Sequence, residues 1–170
     1  MIILGIDPGS TRIGYGIINS GKELSLIAYG VIETNRKKSS ASLSEQRSGN
    51  KLAQLLIKSS TALRELMNLY QPDKVGIEKL FFTKNVKTGI EVAQARGALI
   101  NEIARYNIPI EEFTPSEIKL AVTGYGNADK KSVAKIVYKI LRTEPIKGHD
   151  DASDALAVAI TASQKREWGY

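Results

Sequence analysis

The sequence predicts an α/β fold with a mixed five-stranded sheet flanked by helices, on two observations. The chain opens with three apolar runs split by turn residues, with no helical spacing between them, which is the pattern of an antiparallel meander. Beyond residue 50, helical spacing alternates with two further short apolar runs, the pattern that joins parallel strands through helices. At 170 residues and 42% hydrophobic content, residues 1–170 read as a single domain able to bury a core unaided.

Composition narrows the chemistry. The chain has no cysteine, which excludes a disulfide framework and a thiolate metal site, and its one histidine leaves any metal to oxygen ligands. Magnesium or manganese then suits it better than zinc. No apolar stretch approaches the ~20 residues of a membrane span, and the start lacks a signal-peptide pattern, so a cytoplasmic protein with no membrane partner is expected. Lys and Arg number 24 against 18 Asp and Glu, a net charge of +6 that suits a polyanionic partner such as nucleic acid.

The first run, Ile2-Ile3-Leu4-Gly5-Ile6, ends in Asp7 and turns at once through Pro8-Gly9. A carboxylate that closes a buried strand either caps the turn or needs a cation. The second run, from Ile13 to Ile18, holds Gly14 and Gly16, which mark a close approach of another group or a bulge. The third run covers 24–33. Residues 34–49 are polar, with Arg36, Lys37, Lys38 and Arg47, and read as a mobile surface loop. Leu52, Leu56, Leu63 and Met67 then recur at helical spacing up to Tyr70, with Pro72 as a stop. Lys74-Val75-Gly76-Ile77-Glu78 repeats the plan of the opening. Should this strand pair with the first, Glu78 would meet Asp7, and two like charges there demand a proton or a cation.

Lys79-Leu80-Phe81-Phe82-Thr83-Lys84 sets two aromatic rings between lysines, suited either to the core or, for Phe81, to stacking on bases while Lys84 holds the backbone. The helix expected at 86–106 is rich in small residues, Ala93, Ala95, Gly97 and Ala98, which admit either the sheet or a second subunit. After a strand at 108–113, Thr114-Pro115-Ser116-Glu117 is a capping box that starts a helix carrying Lys119. A further helix begins near Asp129. On it Lys131, Lys135, Lys139 and Arg142 lie on one side and Val133, Val137 and Leu141 largely on the other, so the basic stripe is a solvated face or a phosphate-tracking one. In the last helix, 151–165, Asp151 and Asp154 share one face beside a buried apolar run. Residues 166–170 form a tail.

Four segments, Gly5-Ile6-Asp7-Pro8-Gly9-Ser10, Ile77-Glu78 with Phe81 and Lys84-Asn85, Gln94-Ala95-Arg96-Gly97, and Asp151-Ala152-Ser153-Asp154-Ala155-Leu156-Ala157, together resemble one family. It is the bacterial RuvC crossover-junction endodeoxyribonucleases, of the ribonuclease-H-like superfamily, and the resemblance runs over about residues 2–162. It implies a Holliday junction resolvase in recombination and repair, which nicks two strands of a four-way DNA junction symmetrically and leaves 5′-phosphate and 3′-hydroxyl ends. It further implies that Asp7, Glu78, Asp151 and Asp154 bind two Mg2+ ions per active site, with Mn2+ able to substitute. Phe81, Lys84, Lys119, Lys130, Lys131 and Lys135 are then the expected DNA-binding residues. A homodimer, joined near Ala93 and Gly97, and the RuvA and RuvB branch-migration proteins are the implied partners. Asp150 is an alternative to Asp151 should the helix start earlier, Asp151 being kept because it matches the motif, and His149 is a loop residue or a proton shuttle.

Overall fold

The structure, a computed structural model, describes residues 1–34, 51–80, 86–145 and 150–164. Three antiparallel strands open it: β1 (Ile2–Pro8), β2 (Arg12–Ser20) and β3 (Leu24–Glu33). Helix α1 (Lys51–Tyr70) leads to β4 (Lys74–Glu78), and α2 (Val86–Ala104) to β5 (Ile110–Phe113). The chain closes with α3 (Pro115–Thr123), α4 (Lys130–Leu141) and α5 (Asp150–Gln164). The sheet order is β3-β2-β1-β4-β5, with β4 parallel to both β1 and β5, so the sheet is mixed and five-stranded as expected. The expected loop at 34–49, apart from Thr34, and the tail at 166–170 lie outside the described residues. Among those residues no helix is long and apolar enough to cross a membrane.

Strand alternation divides the sheet into two faces. Leu4, Ile6, Ile13, Ile17, Val75 and Ile77 point to one side, where Leu63 and Met67 of α1 and Leu99 and Ile103 of α2 close the core. Ile3, Ile18 and Phe113 point to the other, against α3, α4 and the largely apolar α5. The capping box of α3 forms as the sequence indicates: Thr114 accepts from the Glu117 backbone amide and Glu117 from that of Thr114, while Gly124 ends the helix at φ 77°. Asp129 caps α4 by accepting from Ser132 at 2.9 Å.

The second face has a floor of glycines. Gly5, Gly14, Gly16 and Gly76 come from three adjacent strands, and all lie beneath α5. A Cβ on Gly5 would stand 2.5 Å from the Ala159 backbone nitrogen, and one on Gly16 would stand 2.8 Å from that of Leu156. The helix therefore rests its backbone on the sheet. Of the two sequence-level readings of Gly14 and Gly16, close approach is the one realised, and the irregularity of β2 falls after them, between Ile17 and Ile18. Because the obstacle is backbone, Gly5→Ala is expected to cost ~3 kcal/mol in urea unfolding. Gly21→Ala, whose nearest new neighbour is 3.8 Å away, should stay within ~0.5 kcal/mol of the parent.

Candidate active site

The glycine face ends in acid. Asp7 follows Ile3 and Gly5 on that face of β1, and Glu78 follows Gly76 on the same face of β4. Since Ile6 pairs with Ile77 in parallel register, the two carboxylates emerge side by side at the strand ends. Burial, reinforced by the charges of Glu78 and Asp154, pushes Asp7 up to about 8, and Asp7 and Glu78 are joined by a side-chain hydrogen bond. Burial raises Glu78 too, although the bond from Asp7 opposes this. A proton donated by Asp7 to Glu78 thus relieves the repulsion between them.

Helix α5 brings the other two acids across the glycine floor. The absent side chain of Gly14 makes room for the Asp151 backbone, so the first turn of α5 settles beside the end of β1. Asp154, one turn on, is raised by burial against the opposing pull of Lys130, whose Nζ is 2.8 Å from its Oδ2. Burial alone would lower Lys130, but Asp154 outweighs it and holds the ammonium above its usual range. Asp151 faces Arg12, with Arg12 Nε 3.0 Å from Oδ2. That oxygen is buried and accepts no hydrogen bond, so the arginine offers it charge without an aligned N–H.

The helix starts at Asp150, one residue earlier than expected, and of the two acids in its first turn Asp151 is the more buried. The Asp150 side chain is 84% exposed against 25% for Asp151, and the acids whose charge acts on Asp7 are Glu78, Asp154 and Asp151. Lys119 and Lys130 line a cleft of about 260 Å³ with Glu78, Asp154, Pro115 and Val133. Lys130 therefore sits within the acid group, paired with Asp154. Lys131 and Lys135 face away from that cleft, along a groove on α4 shared with Tyr138, Lys139 and Arg142. Phe81, Lys84 and His149 lie outside the described residues.

Two arginines of the site were not singled out by the sequence. Arg12 opens β2 after the Pro8–Gly9 turn and reaches Asp151. Arg96, noted only as part of a motif, donates from Nε to the Glu78 carbonyl at 3.1 Å and pairs with Glu112 at 2.8 Å, which ties α2 to the ends of β4 and β5. Neither contact has a local signal, since each joins residues far apart in the chain.

The donor set fits a divalent cation: all oxygen, partly buried, with one orphaned carboxylate oxygen and a proton held where negative charge accumulates. As the side chains stand, no three acids among the described residues are grouped closely enough to enclose one ion. Asp151 and Asp154 are instead engaged with Arg12 and Lys130.

Comparison with known proteins agrees with this architecture. The family model for "Crossover junction endodeoxyribonuclease RuvC" matches residues 3–162. The RuvC of Petrotoga mobilis is 43% identical over 160 residues, covering 94% of this chain and 91% of that protein. That of Heliobacterium modesticaldum is 41% identical, covering 99% and 98%. The solved Thermus thermophilus RuvC superimposes with a TM-score of 0.76 at 26% identity, covering 95% of this chain and 92% of the other. With its five-stranded mixed sheet and its acids at the ends of β1 and β4 and on α5, the chain belongs to the RuvC family of crossover junction endodeoxyribonucleases.

Proposed function

We propose that Asp7, Glu78, Asp151 and Asp154 are the catalytic, metal-holding residues of this crossover junction endodeoxyribonuclease, and that they take two Mg2+ ions, with Mn2+ able to substitute. The observation that carries this is the partly buried Asp7–Glu78 pair, set side by side at adjacent parallel strand ends together with an Asp151 carboxylate oxygen that is buried without a hydrogen bond. Bound there, divalent ions supply Lewis acidity at the scissile phosphate and acidify the attacking water. The chain's own part is to lose the Asp7 proton, to hold Glu78 in place through Arg96, and to release Asp154 from Lys130. Lys130, once released, and Lys119 flank the cleft as cations for the phosphate.

The substrate in this reading is a four-way DNA junction, nicked symmetrically by a homodimer to leave 5′-phosphate and 3′-hydroxyl ends. The T. thermophilus relative carries the description "in complex with Holliday junction substrate", and that fold superimposes on this chain with a TM-score of 0.77. Exposed Lys131, Lys135 and Lys139 lead away from the acids along α4, whose 12 residues extend ~18 Å, enough to follow several phosphates of a duplex arm, while Arg142 just beyond it is paired with Glu23. In this reading, which rests on the family resemblance, Phe81 contacts bases at the junction centre and Lys84 is a DNA-binding residue. For the dimer, α2 offers Gly97, which has open space beyond it, and Ile90, which is exposed, whereas Ala95 belongs to the chain's own core. Branch-migration partners of the RuvA and RuvB type, and action in the cytoplasm, complete the proposal.

Asp7→Asn is expected to reduce Mg2+-dependent cleavage of a synthetic mobile junction by at least roughly a thousand-fold while leaving junction binding intact. Near-normal turnover in single-turnover assays would remove Asp7 from the mechanism. A second expectation concerns the metal-free protein. Between the unfolded carboxylate value of 3.8 and about 8, the native state keeps a proton on Asp7 that the unfolded chain has lost, so stability falls as pH rises. Thermal unfolding in EDTA should therefore show a midpoint that drops from pH 5 to pH 8. The drop should be smaller in Asp7→Asn, which becomes the more stable protein at pH 8. Parallel pH profiles would show that Asp7 does not hold the proton.

A further inference from the structure

We propose that Arg12 is an exchangeable counter-ion: it neutralises Asp151 while the acid site is free of divalent cation and becomes a phosphate-binding residue for DNA once a cation takes Asp151. The inference rests on the metal reading of the site given above. Its basis is how this arginine is held compared with Arg64 and Arg142, two other arginines paired with a single carboxylate. Arg64 grips Glu102 through two hydrogen bonds of 2.8 and 2.9 Å, and Arg142 grips Glu23 through two of 2.7 and 2.9 Å. Arg12 Nε stands 3.0 Å from Asp151 Oδ2 without a hydrogen bond to that oxygen, and since its side-chain exposure of 53% lies between those of Arg64 and Arg142, the missing alignment is what sets it apart. A contact made by charge alone exchanges readily for a stronger cation.

A guanidinium does not titrate in this range, so on displacement it remains a cation without a partner. Its position decides what it meets next. Arg12 begins β2 at the end of the sheet where Asp7 and Gly14 pair, on the rim of the site that the scissile strand must reach. A guanidinium there can fork onto phosphate oxygens. Metal and DNA binding are then linked through one side chain, and the linkage is reciprocal: each ligand frees what the other needs.

The test uses the full chain and begins with Mn2+ titrations followed by EPR, without DNA and hence without turnover. Arg12→Gln should bind Mn2+ roughly two- to five-fold more tightly than the parent, the range set by an exposed ion pair, and Arg12→Lys should return towards the parent. Junction affinity is then measured against salt. In Ca2+ the slope of log K against log salt should be about 0.9 shallower for Arg12→Gln than for the parent, whereas in EDTA the two slopes should coincide. Unchanged or weaker Mn2+ binding by Arg12→Gln, or equal slopes in Ca2+, would overturn the inference alone. Should the parent bind Mn2+ no better than Asp151→Asn, the metal reading of Asp151 fails, and this inference fails with it.

Discussion

The approach of the α5 backbone to the sheet is the constraint on which the site depends. Side chains on Gly5, Gly14 and Gly16 would each meet the helix backbone and hold it away, and Asp151 and Asp154 ride on its first turns. Lifted by even a methyl group, those carboxylates would leave the neighbourhood of Asp7. The run that follows them, from Ala155 to Ala162, is buried without a break, and its one polar member, Thr161, bonds its hydroxyl back to the Ala157 carbonyl. The same packing that fills the core on this face therefore sets the position of half the site. Substituting a floor glycine cannot be read as a change in stability alone, because the acids move with the helix.

That placement creates an electrostatic problem, and the fold answers it in three ways. Asp7 keeps a proton, Asp154 takes Lys130, and Asp151 takes Arg12. All three answers are reversible, because a proton can leave and two long, half-exposed side chains can swing. A cluster neutralised by removable charges is costly to maintain as it stands and is stabilised by whatever cation replaces them. Arg96 does a different job. It is mostly buried, and it fixes the Glu78 backbone, so that the strand end stays in place while the charges around it exchange.

The parts of this arrangement legible in the sequence are those with local periodicity. A carboxylate two residues beyond a glycine on a strand must share its face, so Asp7 and Glu78 could be read from Gly5 and Gly76 once the strands were recognised. The i, i+3 spacing of Asp151 and Asp154 and the Thr114–Glu117 capping box are equally local. Gly14 and Gly16 could not be resolved between bulge and close approach, because the deciding object, α5, lies over a hundred residues away. Arg12, and the pairing of Lys130 with Asp154, were out of reach for the same reason: surface-type residues by composition, they meet these acids only when the chain brings the acids to them. The helix start at Asp150 shows the usual uncertainty of one residue in a boundary, yet it leaves Asp151 facing inward.

A second charged pair on the same face shows what distinguishes the site from ordinary packing. Lys74 and Glu111 lie on neighbouring strands β4 and β5, 3.3 Å apart, and Lys74 is almost wholly buried. There, each strand supplies one sign of charge, so the pair is closed within the sheet. At the other end of β4 the neighbouring strands supply Glu78 and Asp7, two groups of the same sign. No rearrangement within β1 and β4 can neutralise them. The compensating charge has to come from outside these two strands, as a proton, as a side chain from α4 or β2, or as a cation from solvent. This mismatch, built into adjacent strand ends by sequence, makes one end of β4 a structural tie and the other a place where chemistry can occur.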